Sequence, residues 1–333
     1  MPRLSLLSSI LLFGAFALRV VPVRAEVFEG TFLQLVEAHR DLDVQGWTRL
    51  LDELATLGIE EVVVQWTVFD EQSFLPLDEA TSPGTTLERL LAAADHRGMR
   101  VLLGLVHDSS YWRWIDRQRE ARMVEVSLRR LEERHGEAAE RLAHLVRRHD
   151  CVAGWYLPEE IDDRSWLPDD RREVLGSHLA RSRARLREVA PDLPVAVSGF
   201  SNGFADPRTL AGFWSEVVDR SGVDRLLFQD GVGAGKLEPD EVSVVLGPLA
   251  ESLADRPTRF QVIVEVFRQT GGPPLDDGPF RAALAPVERI RAQIVTARSL
   301  SEGGVIAFSV PEYLLSSRGP EAERVSRSLR QED

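Results

Sequence analysis

Short apolar runs alternate eight times with longer stretches of helical periodicity along this chain. Most of the runs are six to nine residues long and rich in Val, Ile and Leu, which is typical of parallel strands buried on both faces. The pattern therefore predicts eight strands, namely Phe28–Gln34, Glu61–Phe69, Arg100–Asp108, Val152–Glu160, Pro194–Phe200, Asp224–Asp230, Arg259–Phe267 and Gly303–Val310.

Between these runs, apolar residues recur every three or four positions, as they do on the buried face of a helix. Gly58, Gly98 and Gly222 come just after such stretches, where helices often end on a left-handed residue. The periodicity predicts helices in Val44–Leu57, Leu87–Ala94, Val124–Val146, Arg171–Val189, Leu210–Val218, Asp240–Leu253 and Pro286–Leu300.

This alternation predicts an α/β fold, a (β/α)8 TIM barrel in a single domain over residues 26–318, with a polar C-terminal tail over 319–333. A doubly wound open sheet is the alternative, but its first turn normally carries a Gly-rich phosphate-binding segment. Leu35–Leu42 has no glycine. The connections Asp70–Thr85 and Ser109–Arg119 are long, as expected of loops that line a cleft at the C-terminal face of a barrel.

Residues 1–25 have the pattern of a secretory signal peptide. Pro2 and Arg3 precede the apolar stretch Leu4–Leu18, and Val23 and Ala25 are small residues that fit a cleavage site. The apolar stretch is shorter than the roughly 20 residues of a membrane-spanning helix, which favours cleavage over an uncleaved anchor. We therefore expect a periplasmic or secreted protein that has no membrane association after cleavage.

The formal net charge is −13, and loss of the signal segment would make it −16. An acidic surface disfavours nucleic acid and anionic lipid as partners and suits neutral or cationic ligands, including uncharged glycans. Cys151 is the only cysteine, which excludes an intramolecular disulfide and a cysteine metal cluster. Lys236 is the only lysine among many arginines, which we interpret as a compositional bias of the genome.

Two glutamates follow separate apolar runs at positions where barrel strands end. Glu160 closes the fourth predicted strand, and Glu265 lies near the end of the seventh. In the seventh strand Glu265 alternates in phase with Gln261 and Ile263, the set that would face the barrel interior. Glycoside hydrolysis needs two carboxyl groups beside one scissile bond. An arginine-paired structural carboxylate is the alternative for Glu265.

The segment "VAGWYLPEEI" resembles the fourth strand of clan A glycoside hydrolases, in which the acid/base glutamate follows an asparagine. The resemblance implies that Glu160 is the general acid/base, that Glu159 takes the place of the sugar-binding asparagine, and that Glu265 is the nucleophile on strand seven. It also implies a retaining enzyme with carboxyl groups roughly 5–5.5 Å apart. We expect a raised pKa at Glu160 and an ionised Glu265.

The chain as a whole also resembles a family of exported bacterial barrel proteins of unknown function. The segments that carry this resemblance are "GTFLQ", "WYLPEEID", "FQDGVG" and "FSVPEYL", at predicted strands one, four, six and eight. This resemblance implies the barrel fold and a relation to glycoside hydrolases, but no particular substrate.

Polar and aromatic residues near the predicted strand ends and rim loops could bind a sugar. Amide, imidazole and carboxyl groups would hydrogen-bond to hydroxyls, and aromatic rings would stack on the apolar face of a pyranose. Core packing is the alternative for Trp66 and Tyr156. Besides Glu159, the candidates are Gln34, Gln65, Trp66, His107, Asp108, Trp112, Trp114, Tyr156, Gln229, Asp230, Phe308 and Tyr313.

The sequence thus predicts a glycoside hydrolase that cleaves a polysaccharide or oligosaccharide without a cofactor. A non-catalytic glycan-binding barrel in an exopolysaccharide system is the main alternative. A metal-dependent hydrolase that uses His107, Asp108 and Asp230 is weaker, because the sequence has neither His-x-His nor His-Glu-x-x-His spacing.

Overall fold

The computed structural model describes residues 27–78, 80 and 84–331. Each of the eight predicted strands is present, and together they close a barrel in which every strand is parallel to its two neighbours. The expected signal peptide lies outside the described residues. In chain order the barrel strands are β1 (Gly30–Leu33), β2 (Glu61–Val64), β3 (Arg100–Gly104), β4 (Val152–Asp162), β5 (Val195–Phe200), β6 (Arg225–Gln229), β7 (Arg259–Glu265) and β8 (Ile306–Phe308).

One long helix follows each strand, which completes the (β/α)8 pattern. The predicted glycines Gly58, Gly98 and Gly222 all have positive φ, as a left-handed position just past a helix requires. The helices are α1 (Val44–Ala55), α2 (Thr86–Arg97), α3 (Ala121–Arg148), α4 (Asp169–Val189), α5 (Pro207–Ser221), α6 (Val242–Leu253), α7 (Val287–Leu300) and α8 (Pro320–Leu329).

Helix α8 corrects the expectation of a polar tail over residues 319–333. Ala322, Val325 and Leu329 are buried on one face of this helix, and it packs against α7. These three apolar residues are spaced at helical intervals among arginines and glutamates, so the composition of the segment concealed its periodicity. The segment is the eighth helix of the barrel.

The barrel interior has an apolar middle and a charged floor. The middle contains the buried residues Phe32, Val63, Leu102, Tyr156, Ala196, Leu227, Ile263 and Ile306. At the floor, the guanidinium of Arg225 donates to both carboxylate oxygens of Glu61, at 3.0 and 2.7 Å, and to Gln261 at 2.6 Å. Because the middle of the barrel is filled, a ligand can reach only the mouth.

A bulge in β4 orients the two adjacent glutamates. Leu157 pairs with Val197 and Glu160 with Ser198, so Pro158 and Glu159 have no opposite residue on β5. Two extra residues are one full period of strand alternation, which leaves Glu160 on the inward face and Glu159 on the outward face. The local geometry therefore separates the two acids.

Short elements build up the rim of the mouth. Residues 68–69 and 72–73 form a small antiparallel pair after β2, which also pairs with residues 106–107 after β3. A hairpin of Phe267–Gly271 and Arg281–Leu284 extends from β7. Within the described part of the chain, no helix has the length and apolarity needed to cross a bilayer.

Candidate active site

Glu265 is the last residue of β7 and is almost fully buried, with 3% of its surface exposed. Its neighbours Val264 and Val266 pack into the outer strand–helix layer, while Ile263 lies in the barrel interior, as the alternation predicted. One carboxyl oxygen, Oε2, accepts a hydrogen bond from the backbone N–H of Ala234 at 2.8 Å. The side chain therefore reaches the mouth, where the loop after β6 covers it.

Asp230 lies directly behind Glu265, on the outward side of the sheet. Its Oδ2 accepts a hydrogen bond from Nε2 of Gln293 on α7 at 2.6 Å, and its Oδ1 accepts from the backbone N–H groups of Val232 and Glu265. It is 1% exposed. These contacts occupy both carboxyl oxygens, so the expected role of Asp230 as a sugar ligand at the rim is wrong.

Burial raises the pKa of both Asp230 and Glu265, and the carboxyl of Asp230 raises the pKa of Glu265 further. The backbone N–H of Ala234 and the ammonium of Lys236 act in the opposite direction, because both favour the ionised form of Glu265. We expected Glu265 to be kept ionised. Its surroundings instead raise its pKa and favour the protonated form.

Glu160 is half-buried and faces the mouth from β4. Its Oε1 accepts a hydrogen bond from Nε2 of Gln229 on β6 at 3.0 Å, and its backbone carbonyl accepts one from the hydroxyl of Tyr111 at 3.2 Å. Gln229 lies opposite Ile263, two residues before Glu265. The structure therefore brings Gln229 together with Glu160 at the end of the barrel where Glu265 lies.

Lys236 is a residue of this site that we interpreted only as compositional bias. Its ammonium lies over the ring of Phe200, 3.3 Å from the centroid. Burial lowers the pKa of this ammonium, while Glu265 and then Glu160 raise it by attraction. That the only lysine lies in the glycine-rich segment after a predicted strand was the signal that could have identified it.

The carboxylate of Glu159 is buried and bonded to two helices, contrary to the expectation that it binds the sugar. Its Oε1 accepts hydrogen bonds from Nε2 of His135 on α3 at 3.0 Å and from Nε2 of His178 on α4 at 2.8 Å. These contacts hold the pKa of the Glu159 carboxyl well below its usual value despite its burial. The residue thus fastens β4 to two helices.

Four other candidates are held within the protein. Tyr156 is 1% exposed inside the barrel, where its hydroxyl bonds to Ser198 Oγ at 2.7 Å. The indole N–H of Trp66 donates to the carbonyl of Leu35 at 3.0 Å. Nε2 of Gln34 donates to Oε1 of Gln65 at 2.8 Å, and Gln65 is itself buried. The expectation of direct sugar contact is therefore wrong for Tyr156 and Trp66.

Aromatic side chains do lie around the mouth. Trp112 is 42% exposed, and its ring centroid lies 5.8 Å from that of Phe200. Phe308 and Tyr313 are half-buried on the other side, and both rings contact Phe267. Trp114 instead packs edge-on against Tyr111 and the core. Trp112, Phe308 and Tyr313 can therefore contact a ligand.

His107 and Asp108 do not form a metal site with Asp230. His107 stacks on Phe69 with ring centroids 4.9 Å apart, and burial lowers its pKa. Asp108 Oδ1 accepts hydrogen bonds from both the backbone N–H and the hydroxyl of Ser110. Over the residues that the structure describes, no three His, Cys, Asp or Glu side chains group as metal ligands would.

A small hollow between the ends of β3 and β4 is lined by His107, Asp108, Tyr111, Trp112 and Glu160, among others. It places the half-exposed carboxyl of Glu160 beside an exposed indole. A carboxyl group next to an aromatic face is an arrangement suited to a sugar ring, whose C–H face meets the ring while its oxygens meet the acid.

The model of one protein family, described as "Domain of unknown function (DUF4434)", matches residues 28–323, which is almost the whole barrel. The chain belongs to the DUF4434 family. Among proteins of known sequence, this DUF4434 chain is 27% identical over 224 residues to "Uncharacterized protein YbcH" of Escherichia coli K12, covering 66% of the chain and 70% of YbcH. The expected family is thereby confirmed.

Solved structures similar to the DUF4434 barrel are glycosidases. A putative alpha-L-fucosidase from Bacteroides thetaiotaomicron superposes with a TM-score of 0.67 at 16% identity, over 97% of this chain and 98% of that one. The exo-beta-1,4-mannosidase Op5Man5 from an Opitutaceae bacterium gives a TM-score of 0.52 at 17% identity, over 84% of this chain but only 51% of that one. At such identities the likeness shows the TIM barrel fold alone.

Proposed function

We propose that this DUF4434 protein is a retaining glycoside hydrolase that cleaves a polysaccharide or oligosaccharide with Glu160 and Glu265. The observation that carries the proposal is the placement of these two carboxyl groups at the carboxyl ends of β4 and β7, facing the same mouth. The barrel likeness to a putative fucosidase and a mannosidase supports it.

The roles are those that the resemblance to clan A glycoside hydrolases implies for glutamates at the ends of β4 and β7. Glu160, which is half-buried, protonates the leaving oxygen and later deprotonates the attacking water. Glu265 attacks the sugar from the opposite side and is released when that water hydrolyses the glycosyl-enzyme bond. An attacking carboxyl must be ionised. The N–H of Ala234 and the ammonium of Lys236 are the groups that favour ionised Glu265 against its burial.

Residues 26–333, purified and tested on a panel of aryl glycosides and bacterial exopolysaccharides, are expected to hydrolyse at least one substrate. Proton NMR of the first-formed sugar is expected to show the anomer of the substrate, because double displacement restores its configuration. The inverted anomer would refute the nucleophilic role of Glu265. Binding without hydrolysis across the panel would instead favour a glycan-binding barrel.

We further propose that the protein acts outside the cytoplasm, on the basis of its first 25 residues. When the full chain is expressed in a Gram-negative host, we expect the protein recovered from the periplasm or medium to begin at Glu26. Mass spectrometry of the intact protein measures this directly. Recovery of the full-length chain in the cytoplasmic fraction alone would contradict the proposal.

A further inference from the structure

The ammonium of Lys236 is held in the mouth without a polar partner. It rests on the face of Phe200, and among the described residues no carboxylate or carbonyl forms an ion pair or hydrogen bond with it. Lysine carries three N–H donors. The face of an aromatic ring attracts the positive charge but accepts no conventional hydrogen bond. All three N–H groups therefore remain available to the oxygens of a ligand.

The backbone that carries Lys236 is fixed. Its own N–H donates to the carbonyl of Gly231 at 2.8 Å. The N–H of Ala234 donates to Glu265, and the carbonyl of Gly233 accepts from Gln269 at 2.8 Å. A β-carbon on Gly233 would lie only 2.6 Å from that of Glu265, so the close approach of this loop requires glycine. The loop thus holds Lys236 beside the proposed catalytic pair.

A second cation lies over an aromatic ring of the loop between β5 and α5. The guanidinium of Arg117 lies over the ring of Phe204, 4.4 Å from its centroid, and Phe204 is 47% exposed. The exposed ring of Trp112 contacts the buried ring of Phe200, and these two rings form an aromatic wall on which Lys236 lies. Arg117 lies on Phe204, four residues after Phe200. Exposed aromatic rings bind sugar faces, and cations bind anionic substituents.

The acidic side chains near the aromatic wall repel an anionic ligand only weakly. Asp163 is buried, and its carboxylate accepts hydrogen bonds from Ser201 Oγ and from the backbone N–H groups of residues 202, 204 and 205. Asp162 is also buried, which raises its pKa, and its Oδ2 accepts from Asn202. Glu160 and Asp108, both half-buried, are the acids that line the hollow beside Trp112.

We propose that the substrate carries an anionic group, a carboxylate as in a uronic acid or a sulfate ester, which Lys236 binds while a sugar ring stacks on the aromatic wall. The inference names the substrate class and rests on the proposed function for its placement beside the catalytic pair. It departs from the neutral glycan that the acidic composition suggested, because charges on the outer surface are screened within about 8 Å at physiological salt.

The test is a binding measurement that needs no turnover. Calorimetry on the Glu265→Gln protein would use acidic oligosaccharides prepared from pectin, alginate, heparosan and carrageenan. Each would be paired with its carboxyl-reduced or desulfated form. We expect at least one acidic member to bind more tightly than its neutral counterpart, and a uronate or sulfate preference identifies the group.

Adding Lys236→Met should weaken that binding about tenfold to a hundredfold and leave the neutral counterpart unaffected, because a charge-assisted hydrogen bond is lost. The matched control is Arg147→Met, which removes one exposed positive charge near the end of α3. It should leave the dissociation constant unchanged. If no acidic member is preferred, or if Lys236→Met does not change the preference, the inference is overturned.

The two proposals can fail separately. Charge-dependent binding through Lys236 without cleavage of any glycoside would contradict the hydrolase and leave the anionic ligand in place. Cleavage of neutral glycosides at rates that do not depend on a substrate charge would support the hydrolase and contradict the anionic ligand. The ratio of kcat/KM for matched acidic and neutral substrates is the readout in the active protein, since it cancels any effect of Lys236 on Glu265 itself.

Discussion

Replacing Glu265 by glutamine is expected to lower kcat by about a thousandfold or more and to leave the fold intact. The amide cannot attack the sugar, and removal of a group that acts on the reacting atoms typically has an effect of this size. The amide oxygen can still accept the N–H of Ala234, and a neutral side chain is less costly to bury than a carboxylate. Steady-state kinetics and thermal unfolding measure the two effects.

The control for this variant is Glu302→Gln, which makes the same chemical change at an exposed position before β8. It should retain full activity. Turnover by the Glu265→Gln protein at the rate of the unmodified protein would exclude Glu265 from the mechanism. Equal losses in both variants would point to a general effect of charge.

The pH dependence gives a second readout for Glu265. Because burial and Asp230 raise its pKa, the ionised form needed for attack should accumulate only as the pH rises through that value. At low substrate concentration, where kcat/KM reports the free enzyme, activity should therefore rise with pH. Asp230→Asn removes the neighbouring carboxyl and should move this rise to lower pH.

In Asp230→Asn the hydrogen bond between the substituted side chain and Gln293 can be kept, at the loss of the weaker one from Gln293 Nε2 to the carbonyl of Glu265 at 3.3 Å. Gln293 has a buried Oε1 without a partner, so rotation of its amide would present that oxygen to the new N–H₂ group. A rise in kcat/KM that stays at the same pH in this variant would show that Asp230 does not act on Glu265. A shift in the opposite direction would refute the electrostatic argument.

Glu159→Leu is expected to lower the free energy of unfolding by about 3–5 kcal/mol, the usual result of removing one partner from a buried charged pair. His178 is fully buried, with Nε2 on Glu159 and Nδ1 on Glu132 at 3.0 Å. Both carboxylates raise its pKa. Without Glu159, the N–H groups of His178 and His135 would have no acceptor there. Urea unfolding monitored by circular dichroism measures the loss.

Glu159, Glu132, His178 and His135 form a largely buried cluster. The protonation of its members determines the pH range in which the cluster stabilises the fold. Contacts with His178 and Arg181 lower the pKa of Glu132 to about 2, so its contribution is present above about pH 4.5 and is lost as the pH falls toward 2. The raised pKa of His178 contributes fully below about pH 6.5, and that contribution is lost as the pH rises through the raised value. The penalty of Glu159→Leu should be largest between these limits.

The exposed ion pair of Glu140 and Arg185 provides the comparison, because it joins the same two helices at the surface. Glu140→Leu should change the free energy of unfolding far less than Glu159→Leu does, since exposed pairs contribute little. Similar losses for the two variants would contradict a special role of the buried cluster. So would a pH-independent loss in the Glu159→Leu protein.

The alternation of apolar runs was sufficient to predict all eight strands and the inward phase of Glu265, because burial on both faces imposes a strong pattern on strands. Glu159 and Glu160 do point in different directions, as adjacent strand residues must, while the functional role of Glu160 stays a prediction. The outward direction of Asp230 was missed, although it follows from strand alternation along β6, where Leu227 faces inward and Phe228 outward. What the pattern does not show is the hydrogen bond to Gln293, 63 residues later in the chain, that holds the carboxyl there.

Helix α8 and Lys236 were missed for a different reason. Both were interpreted through composition, which averages over positions, whereas their roles depend on single positions. Three apolar residues suffice to dock α8, and one ammonium suffices to change the charge of the mouth. Where a residue type is rare in a chain, its location carries more information than its frequency.

The position of Lys236 allows the cleft to be labelled at a single side chain. The chain contains one lysine, so an amine-selective reagent would attach a single internal label, at the side chain that overlies Phe200. The lowered pKa of that amine increases the share of its nucleophilic form near neutrality. A fluorophore placed there would sense occupancy of the cleft directly, and a crosslinker would capture whatever glycan is bound in it.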